Sequence, residues 1–371
     1  MVQLARICSG QRLTTLLQRR MLSTAPALSK LEDELVQRRL PLIYDYLSPQ
    51  PSHLLSVSLD SLHAPAPCSS ASTETQWRLP SIARPAPMPR GHHLIYFPPQ
   101  VPSSELLPDG CDELHSPGQP YNRRMWAGGS VRFFGDGGPL LNGQRAVCVE
   151  GIREVNIKGK EGEEKIFVGI ERRVATVDEH ESDDAVRSRV WTQSEEEQGV
   201  SMVIERRNLV FMRDRTSDEI EAAKSAADIP PRRIMKISTT PEFSQIIIPS
   251  KALLFRYSAL TFNAHSIHID RDYARNVEGY NDLLVHGPLT LTIMLSTFQK
   301  HAAALGESIS SIEYRNLAPL LVEHQMKVCA ARKSNGSTGS WDIWVEGKDG
   351  GLAAKGTIKT VPVEHDSGLI S

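Results

Sequence analysis

The segment GPLTLTIMLSTFQKHAAALG, at positions 287–306, limits the possible folds of this chain more narrowly than any other part of it. Pro288 suits the first turn of a helix, where its missing N–H costs no hydrogen bond, and Gly306 suits the residue that follows the last turn. Apolar residues occupy nearly every side of the first half: Leu289, Leu291, Ile293, Met294, Leu295 and Phe298. Because a helix that is apolar all round must be surrounded by protein, this segment predicts a central, buried helix.

Only strand patterns follow the helix. Stretches of period-two or β-rich character occupy positions 321–332, 340–347 and 352–361, and Asp349-Gly350 is a hairpin signal between the last two. Strands joined by short hairpins pair antiparallel. The second half of the chain is therefore predicted to form an antiparallel sheet wrapped around the central helix.

A second group of strand patterns lies in the first half of the chain, at 145–159, 165–176 and 200–212. The acidic stretches that separate the last two, at 178–185 and 194–197, are interpreted as solvated loops, not as metal sites. The first half is therefore predicted to contain a sheet of its own.

A length of 371 residues suits two domains. Residues 51–90 are rich in Pro, Ser and Ala and predict long connections. Residues 214–240 combine a short polar helix, two prolines and a basic stretch, and predict a linker. The predicted domains are therefore residues 23–213 and 241–371, with the Pro-rich connections inside the first.

The amino terminus carries four arginines, interleaved with Leu, Ser and Thr, and no acidic residue before Glu32: Arg6, Arg12, Arg19 and Arg20. This composition is typical of a mitochondrial targeting peptide, with cleavage between Leu22 and Ser23. Residues 1–22 are accordingly predicted to direct the chain to the mitochondrial matrix. The alternative is a basic tail that only solvates this end of the chain.

Composition and spacing argue against several other classes of protein. The net charge of −2, the aromatic content of 6% and the lack of a basic stripe do not favour binding of nucleic acid. The sequence contains no run of eighteen apolar residues, so it predicts no membrane-spanning helix. The five cysteines are far apart and none forms a CxxC pair, so the sequence signals neither a disulfide scaffold nor a zinc site.

Residues with proton chemistry cluster just before the central helix, in TFNAHSIHID at positions 261–270. Asn263, His265 and His268 precede Gly287 by about twenty residues. This order resembles the hydratase 2 motif of MaoC-type hotdog enzymes, S-G-D-x-N-P-x-H. In that comparison Asn263 stands where the family has its catalytic aspartate, His265 where it has asparagine and His268 where it has the catalytic histidine. Gly287 matches the glycine at the amino end of the central helix.

The first half extends the resemblance. The segments HHLIYFPP and RRMWAGGSVRF are similar to the amino-terminal half of the mitochondrial hydroxyacyl-thioester dehydratase type 2 family, in which asparagine also replaces the aspartate. The resemblance covers about residues 80–362. It implies an α+β double hotdog fold, with two antiparallel sheets each wrapped around a central helix. The second hotdog is expected to be catalytic and the first degenerate.

The chemistry of this family explains the residue types. Removal of water from a 3-hydroxyacyl thioester takes a proton from C2 and gives one to the hydroxyl on C3, while negative charge gathers on the thioester oxygen. Histidine suits the acid–base role, so His268 is predicted to act alone, with a share for His265 as the alternative. Asn263 would position the hydroxyl or water, and the N–H of Gly287 would stabilise the enolate. Each residue also has a purely structural alternative. His268 could be a hydrogen-bonded histidine of the core, Asn263 could form a turn, and Gly287 could simply start the helix.

His265, Arg124 and Trp126 are the candidate substrate-binding residues, although a structural role at the hotdog seam is equally open for Arg124 and Trp126. Three more arginines near the motif are predicted to form exposed ion pairs: Arg256, Arg271 and Arg275. No cofactor or metal is predicted, because the thioester itself acidifies C2.

The predicted function is reversible dehydration of (R)-3-hydroxyacyl thioesters to trans-2-enoyl thioesters in mitochondrial fatty acid synthesis. The stereochemistry and the carrier, which is acyl carrier protein or CoA, are implied by the resemblance alone. One alternative is hydration of a short dicarboxylic CoA ester of the mesaconyl-CoA type; another is a non-catalytic acyl-binding subunit. A monomeric double hotdog and a homodimer are both open.

Overall fold

The computed structural model describes residues 24–60, 62, 78–135, 138–227, 235–333 and 339–363. The predicted targeting peptide, residues 1–22, lies outside these described residues. None of the helices in the described part of the chain combines the length and the hydrophobicity that crossing a membrane requires.

Ten strands make up the sheet: β1 Ile43–Tyr46, β2 Arg123–Phe133, β3 Arg145–Lys158, β4 Lys165–Thr176, β5 Val203–Met212, β6 Phe243–Ile247, β7 Glu307–Asn316, β8 Met326–Arg332, β9 Ser340–Glu346 and β10 Leu352–Pro362. The α-helices of the described residues are α1 Thr24–Val36, α2 Pro49–Asp60, α3 Asp183–Val190, α4 Ser217–Ala227, α5 Lys251–Leu260, α6 Arg271–Asn276 and α7 Gly287–Ala304.

The strand order shows that the fold is a duplication. The order along the sheet is β1-β3-β4-β5-β2-β7-β10-β9-β8-β6, with antiparallel neighbours throughout. Each half has five strands, and read from the outer edge of the sheet to its centre each half has the same order: its first, third, fourth, fifth and second strand. The repeats meet at β2 and β7, from the pair Gly128 and Arg315 to the pair Arg132 and Ser311. The two predicted sheets thus join into one continuous sheet.

The prediction of a buried central helix is confirmed for the second repeat. Helix α7 starts at Gly287 and ends at Ala304, shortly before Gly306, whose φ of +70° ends the helix in the left-handed region. The apolar residues that the sequence identified in its first half are all buried. Their core cluster extends to Val131 and Phe133 of β2, so this helix supports both repeats.

The first repeat has short helical segments in the described stretch before β2. Between α2 and β2, the described residues 78–122 contain two short 3₁₀ segments, His92–Ile95 and Ser103–Glu105, and no long helix. Prolines recur through this stretch, and each removes a helical N–H donor. Part of the inner face of the first sheet borders a cavity.

Local differences from the predictions are small. The acidic stretch 178–185 is not entirely a loop, because α3 starts at Asp183 after Ser182, whose hydroxyl accepts a hydrogen bond from the Ala185 N–H. Helix α4 lies inside the predicted linker, 214–240. The domain bounds 23–213 and 241–371 remain proposals.

Candidate active site

The motif residues lie in a loop between α5 and α6. Helix α5 ends at Leu260, and Phe262 then takes a φ of +52°, a left-handed conformation that turns the chain sharply. The N–H of Asn263 donates to the Ser258 carbonyl at 2.9 Å, which closes this turn. A 3₁₀ segment, Ser266–His268, follows. The loop thereby turns His265 and His268 inward, where both are buried.

His268 is oriented by a backbone carbonyl. Its Nδ1 lies 2.8 Å from the Leu284 oxygen, and since a carbonyl only accepts, Nδ1 carries the proton and donates it. Burial lowers the pKa of His268 to about 4, although the bond to Leu284 opposes that shift. Near neutral pH the imidazole is therefore uncharged, with Nε2 as its free, basic nitrogen. His268 lines a cavity of about 890 Å³.

His286 supports the His268 ring from behind. The two rings stack with centroids 3.7 Å apart and planes 23° apart. His286 is completely buried, and its Nε2 lies within hydrogen-bond distance of the Ser258 hydroxyl, at 2.8 Å. Burial, followed by the neighbouring His268 and His265, holds the pKa of His286 well below its usual range. The sequence carries no signal for this stacking.

Gly287 brings the amino end of α7 to the same cavity. Its N–H has no hydrogen-bond acceptor among the described residues, and Pro288 has no N–H to offer. A Cβ at position 287 would lie 2.9 Å from Cβ of Trp126 and 3.1 Å from Nδ2 of Asn316, so only glycine fits against β2 here. The free donor therefore sits at the positive end of the helix dipole.

Asn263 lines the cavity, but one side of its amide is already engaged. Its Oδ1 accepts the backbone N–H of His265 at 3.0 Å. The Nδ2 group has no acceptor within the described ranges, so the amide offers its N–H donors to the cavity. The same bond braces the loop that carries both motif histidines.

His265 meets His268 edge to face, with ring centroids 5.5 Å apart. It lines the cavity, while its Nε2 faces Asp109, whose Oδ2 is 3.4 Å away. Burial, then His268 and then Arg124, hold the pKa of His265 well below its usual range. The ring is therefore neutral near pH 7, and Asp109, which the sequence did not identify, is its nearest charged neighbour.

Arg124 and Trp126 both lie on β2 and both line the cavity. Arg124 is paired with Asp112, with its Nη1 3.2 Å from Oδ2. Trp126 is held at the seam, because its Nε1 donates to the Tyr314 hydroxyl at 2.7 Å and its carbonyl accepts from Asn316 at 3.0 Å. Both residues thus line the cavity, and Trp126 also has the structural contacts at the seam between the repeats that the sequence left open.

Among the arginines near the motif, Arg271 forms the predicted exposed ion pair, with Asp282 at 2.9 Å. A second pair nearby is buried: Glu278 accepts from Arg123 of β2 at 2.8 Å, and both side chains are largely buried. This pair fastens the first repeat to the segment that follows α6.

The cavity has a volume of about 890 Å³ and is lined by both repeats. Besides Asp112, Arg123, Arg124 and Lys165, its wall in the first repeat includes the charged residues Glu150, Arg172 and Arg207. With Glu205 they form a buried row across β3, β4 and β5, in which Arg172 binds both glutamates and Arg207 binds Glu205. Alternation along single strands did not reveal this row, because Arg172 meets the two glutamates only across neighbouring strands.

The fold defined here is that of the MaoC-like dehydratases. The chain is similar to the crystal structure of a MaoC-like dehydratase from Phytophthora capsici, with a TM-score of 0.56 and 13% identity over 89% of this chain and 97% of that one. Such a low identity shows the fold alone, and it confirms the predicted double hotdog.

Sequence comparison then identifies the family. Residues 91–322 match the family of hydroxyacyl-thioester dehydratase type 2, and the chain belongs to that family. The mitochondrial hydroxyacyl-thioester dehydratase type 2 of Schizosaccharomyces pombe is 27% identical over 81% of this chain and 91% of its own length. A mesaconyl-C(4)-CoA hydratase of Chloroflexus aurantiacus is 30% identical over 74% of this chain and 84% of its own. The resemblance seen in the sequence is confirmed.

Proposed function

We propose that this protein catalyses the reversible dehydration of (R)-3-hydroxyacyl thioesters to trans-2-enoyl thioesters. One observation carries the proposal: the Nδ1–H of His268 is held by Leu284, so the basic Nε2 is free in a cavity that also receives the unpaired N–H of Gly287. A base and an oxyanion donor in one enclosed space are what this reaction requires.

In the dehydration direction, Nε2 of His268 takes the proton from C2 of the substrate. The electron pair moves toward the thioester carbonyl, whose oxygen becomes negative and accepts a hydrogen bond from the Gly287 N–H. The C3–O bond then breaks, the C2–C3 double bond forms and His268 returns the same proton to the departing hydroxyl as water. One titrating residue therefore suffices, which is compatible with asparagine at position 263.

Asn263 and His286 have supporting roles in this proposal. The amide N–H of Asn263 would donate to the C3 oxygen and hold it near His268. The stacked ring of His286 would keep the His268 imidazole in plane with the Leu284 carbonyl. His265, Arg124 and Trp126 would line the path of the thioester arm.

The neutral His268 ring suits both directions of the reaction. In hydration, Nε2 takes a proton from water as its oxygen attacks C3, and the resulting imidazolium gives that proton to C2. Because burial disfavours the imidazolium, the charged form is transient. Its proton is readily passed on.

In this proposal one chain supplies every site residue; Trp126 of β2 and His268 of the motif loop line the same cavity, which supports this view. A monomeric double hotdog would therefore be sufficient, and a homodimer would not need to share the site. We propose the mitochondrial matrix as the location and mitochondrial fatty acid synthesis as the setting, with substrates carried on acyl carrier protein or CoA. The names of the relatives support the mitochondrial location.

A short dicarboxylic CoA ester is the second candidate substrate, favoured by the relative from Chloroflexus aurantiacus. Such a substrate needs a cationic partner for its free carboxylate. Arg124 and Arg172 line the cavity but are paired with Asp112 and Glu150, whereas Lys165 lines it and forms no ion pair among the described residues. Lys165 is therefore the cation that would meet the free carboxylate in this alternative.

The test is hydration of a medium-chain trans-2-enoyl thioester by the chain starting at Ser23, followed by the loss of enoyl absorbance and by chiral analysis of the product. The (R)-alcohol is expected. Turnover only on the dicarboxylic CoA ester would select the second candidate, and thioester binding without any turnover would indicate an acyl-binding subunit.

A histidine series then tests the role assignment. His268→Ala is expected to abolish most of the turnover, while His324→Ala, a histidine outside the cavity lining, is expected to keep it. If His265→Ala is more damaging than His268→Ala, the proton transfer belongs to His265.

A further inference from the structure

Three potential metal ligands converge beside the motif loop. The carboxylate of Asp109, the thiol of Cys111 and the imidazole of His265 each place one ligand atom within 4.8 Å of the other two. Asp109 and Cys111 belong to the segment before β2, whereas His265 lies in the second repeat. Cys111 and His265 are buried and Asp109 is largely so.

The spacing of Asp109 and His265 suits a shared ion better than a direct bond. Their Oδ2 and Nε2 atoms are 3.4 Å apart, longer than the usual N–H···O distance of about 2.7–3.2 Å. Two ligands bound to zinc at roughly 2.0–2.1 Å in a tetrahedron lie about 3.3 Å apart. The observed separation is therefore close to that between neighbouring zinc ligands.

The backbone holds these groups in place. The Ser266 N–H donates to the Asp109 carbonyl at 2.7 Å, and the Cys111 N–H donates to Oδ1 of Asp109 at 2.9 Å, which leaves Oδ2 free for a metal. Gly110 has a φ of +83°, and a Cβ there would lie 2.0 Å from the Ala264 oxygen. The two segments can approach so closely only because residue 110 is glycine.

Charge and ligand type point to the same kind of ion. The Asp109 carboxylate and a Cys111 thiolate carry two negative charges, and His265 would bind as neutral imidazole, so a divalent cation leaves the buried group uncharged. The nearby Arg124 is already paired with Asp112. A set of one sulfur, one nitrogen and one oxygen ligand favours zinc over magnesium or calcium, which prefer oxygen alone.

We propose that Asp109, Cys111 and His265 bind a thiophilic divalent cation, with Zn²⁺ as the best fit, and that the bound ion inhibits the enzyme. Binding releases one proton from the Cys111 thiol to solvent as the sulfur–metal bond forms. His265 lines the cavity and meets His268 edge to face. A bound ion would hold the His265 ring beside His268, and a further ligand on the ion would take up space that the substrate needs.

The binding site does not depend on the proposed function, whereas its inhibitory effect does. Co²⁺ is therefore the first probe, because a cobalt–thiolate bond produces a charge-transfer absorption in the near ultraviolet whether or not the protein turns over a substrate. The protein starting at Ser23 is expected to show this band, and Zn²⁺ is expected to displace the cobalt and remove it.

Three variants assign the ligands. Cys111→Ala is expected to lose the thiolate band, and Asp109→Asn to weaken Co²⁺ binding at least tenfold. Cys329→Ala, which removes another buried thiol on β8, is the matched control and is expected to keep both the band and the affinity. Thermal unfolding checks that each variant is folded, and Cys111→Ser replaces Cys111→Ala if the latter does not fold.

Absence of the band in the unmodified protein would overturn the proposal, as would its persistence in both Cys111 variants. Inhibition is read from the enoyl-thioester assay, where Zn²⁺ should lower the rate, a chelator should restore it and Cys111→Ala should be at least tenfold less sensitive. A cobalt–thiolate band in a protein without turnover would support the metal site and refute the proposed catalytic function.

Discussion

Replacement of Gly287 by alanine tests the oxyanion role through a defined steric displacement. The added Cβ would lie 2.9 Å from Cβ of Trp126, whereas ordinary van der Waals contact begins at 3.4 Å. The two Cβ atoms must therefore move apart by about 0.5 Å. Trp126 has little freedom to move, because its indole N–H is bound to Tyr314 and its carbonyl to Asn316. The amino end of α7 is therefore expected to shift.

A donor in an oxyanion hole acts over about 2.7–3.1 Å, so a shift of this size removes most of its effect. The expected result for Gly287→Ala is a kcat lowered about 100-fold, or about 2.7 kcal/mol of transition-state stabilisation, with a small change in KM. Alanine itself is favourable in a helix. The loss should therefore appear in catalysis more than in stability.

The assay is the initial rate of enoyl-thioester hydration over a range of substrate concentrations, which separates kcat from KM. Gly347→Ala is the control, since a Cβ there meets no atom closer than 3.8 Å. A folded Gly287→Ala protein with the kcat of the unmodified enzyme would refute the reasoning, because the N–H at the start of α7 would then not be needed.

Three further outcomes are expected. His268→Ala should lower kcat by about 10² to 10⁴, read from the same assay alongside melting temperature. Burial raises the pKa of Glu205, but Arg207 and Arg172 outweigh burial and lower the pKa to about 2. The stabilisation that the ionised carboxylate provides is therefore complete above pH 4.5 and should be lost as the pH falls toward 2. In urea unfolding, Glu205→Gln should lose less unfolding free energy over this pH range than the unmodified protein. Glu278→Gln breaks the buried pair with Arg123 and should lower the free energy of unfolding by about 1.5–3 kcal/mol, and an unchanged urea midpoint would contradict this.

Local patterns in the sequence predicted much of the second repeat. The predicted strands at 340–347 and 352–361 correspond closely to β9 and β10, and the turn between them places Gly350 at a φ of +72°. The pattern at 321–332 extended too far toward its amino end, since β8 starts at Met326. Residues 321–325 instead contact the start of α5 and the segment before α7: the Glu323 N–H donates to the Pro249 carbonyl, and the Val322 N–H donates to the Leu283 carbonyl.

The first repeat was less predictable for a physical reason. A long helix can be predicted from apolar periodicity over many residues. Residues 78–122 instead carry frequent prolines and two short 3₁₀ segments, whose packing depends on distant parts of the chain. His92, in the first of these segments, meets the Ser52 hydroxyl of α2 at 2.7 Å. In the second repeat His286 also meets a helix serine, Ser258 of α5, but through Nε2 where His92 uses Nδ1. This correspondence between the repeats became visible only in three dimensions.

The motif order indicated that Asn263, His265, His268 and Gly287 belong together, and the structure brings all four to one cavity. Their roles remain proposals. The sequence could not indicate the stacking of His286 on His268 or the approach of Asp109 to His265, because neither pattern nor spacing encodes contacts between segments that meet only in the folded chain.

The sequence by itself determined the buried helix that starts at Gly287, the strands around it and the family motif before it. Caps, periodicity and turn chemistry act between residues close together in the chain, so these features can be seen in the sequence. Only the tertiary structure decided that the two sheets join at β2 and β7 and that Trp126 closes on Gly287. Such contacts join residues far apart in sequence. They exist only after the two repeats have docked, since the position of each side chain then depends on the packing of both sheets against one helix.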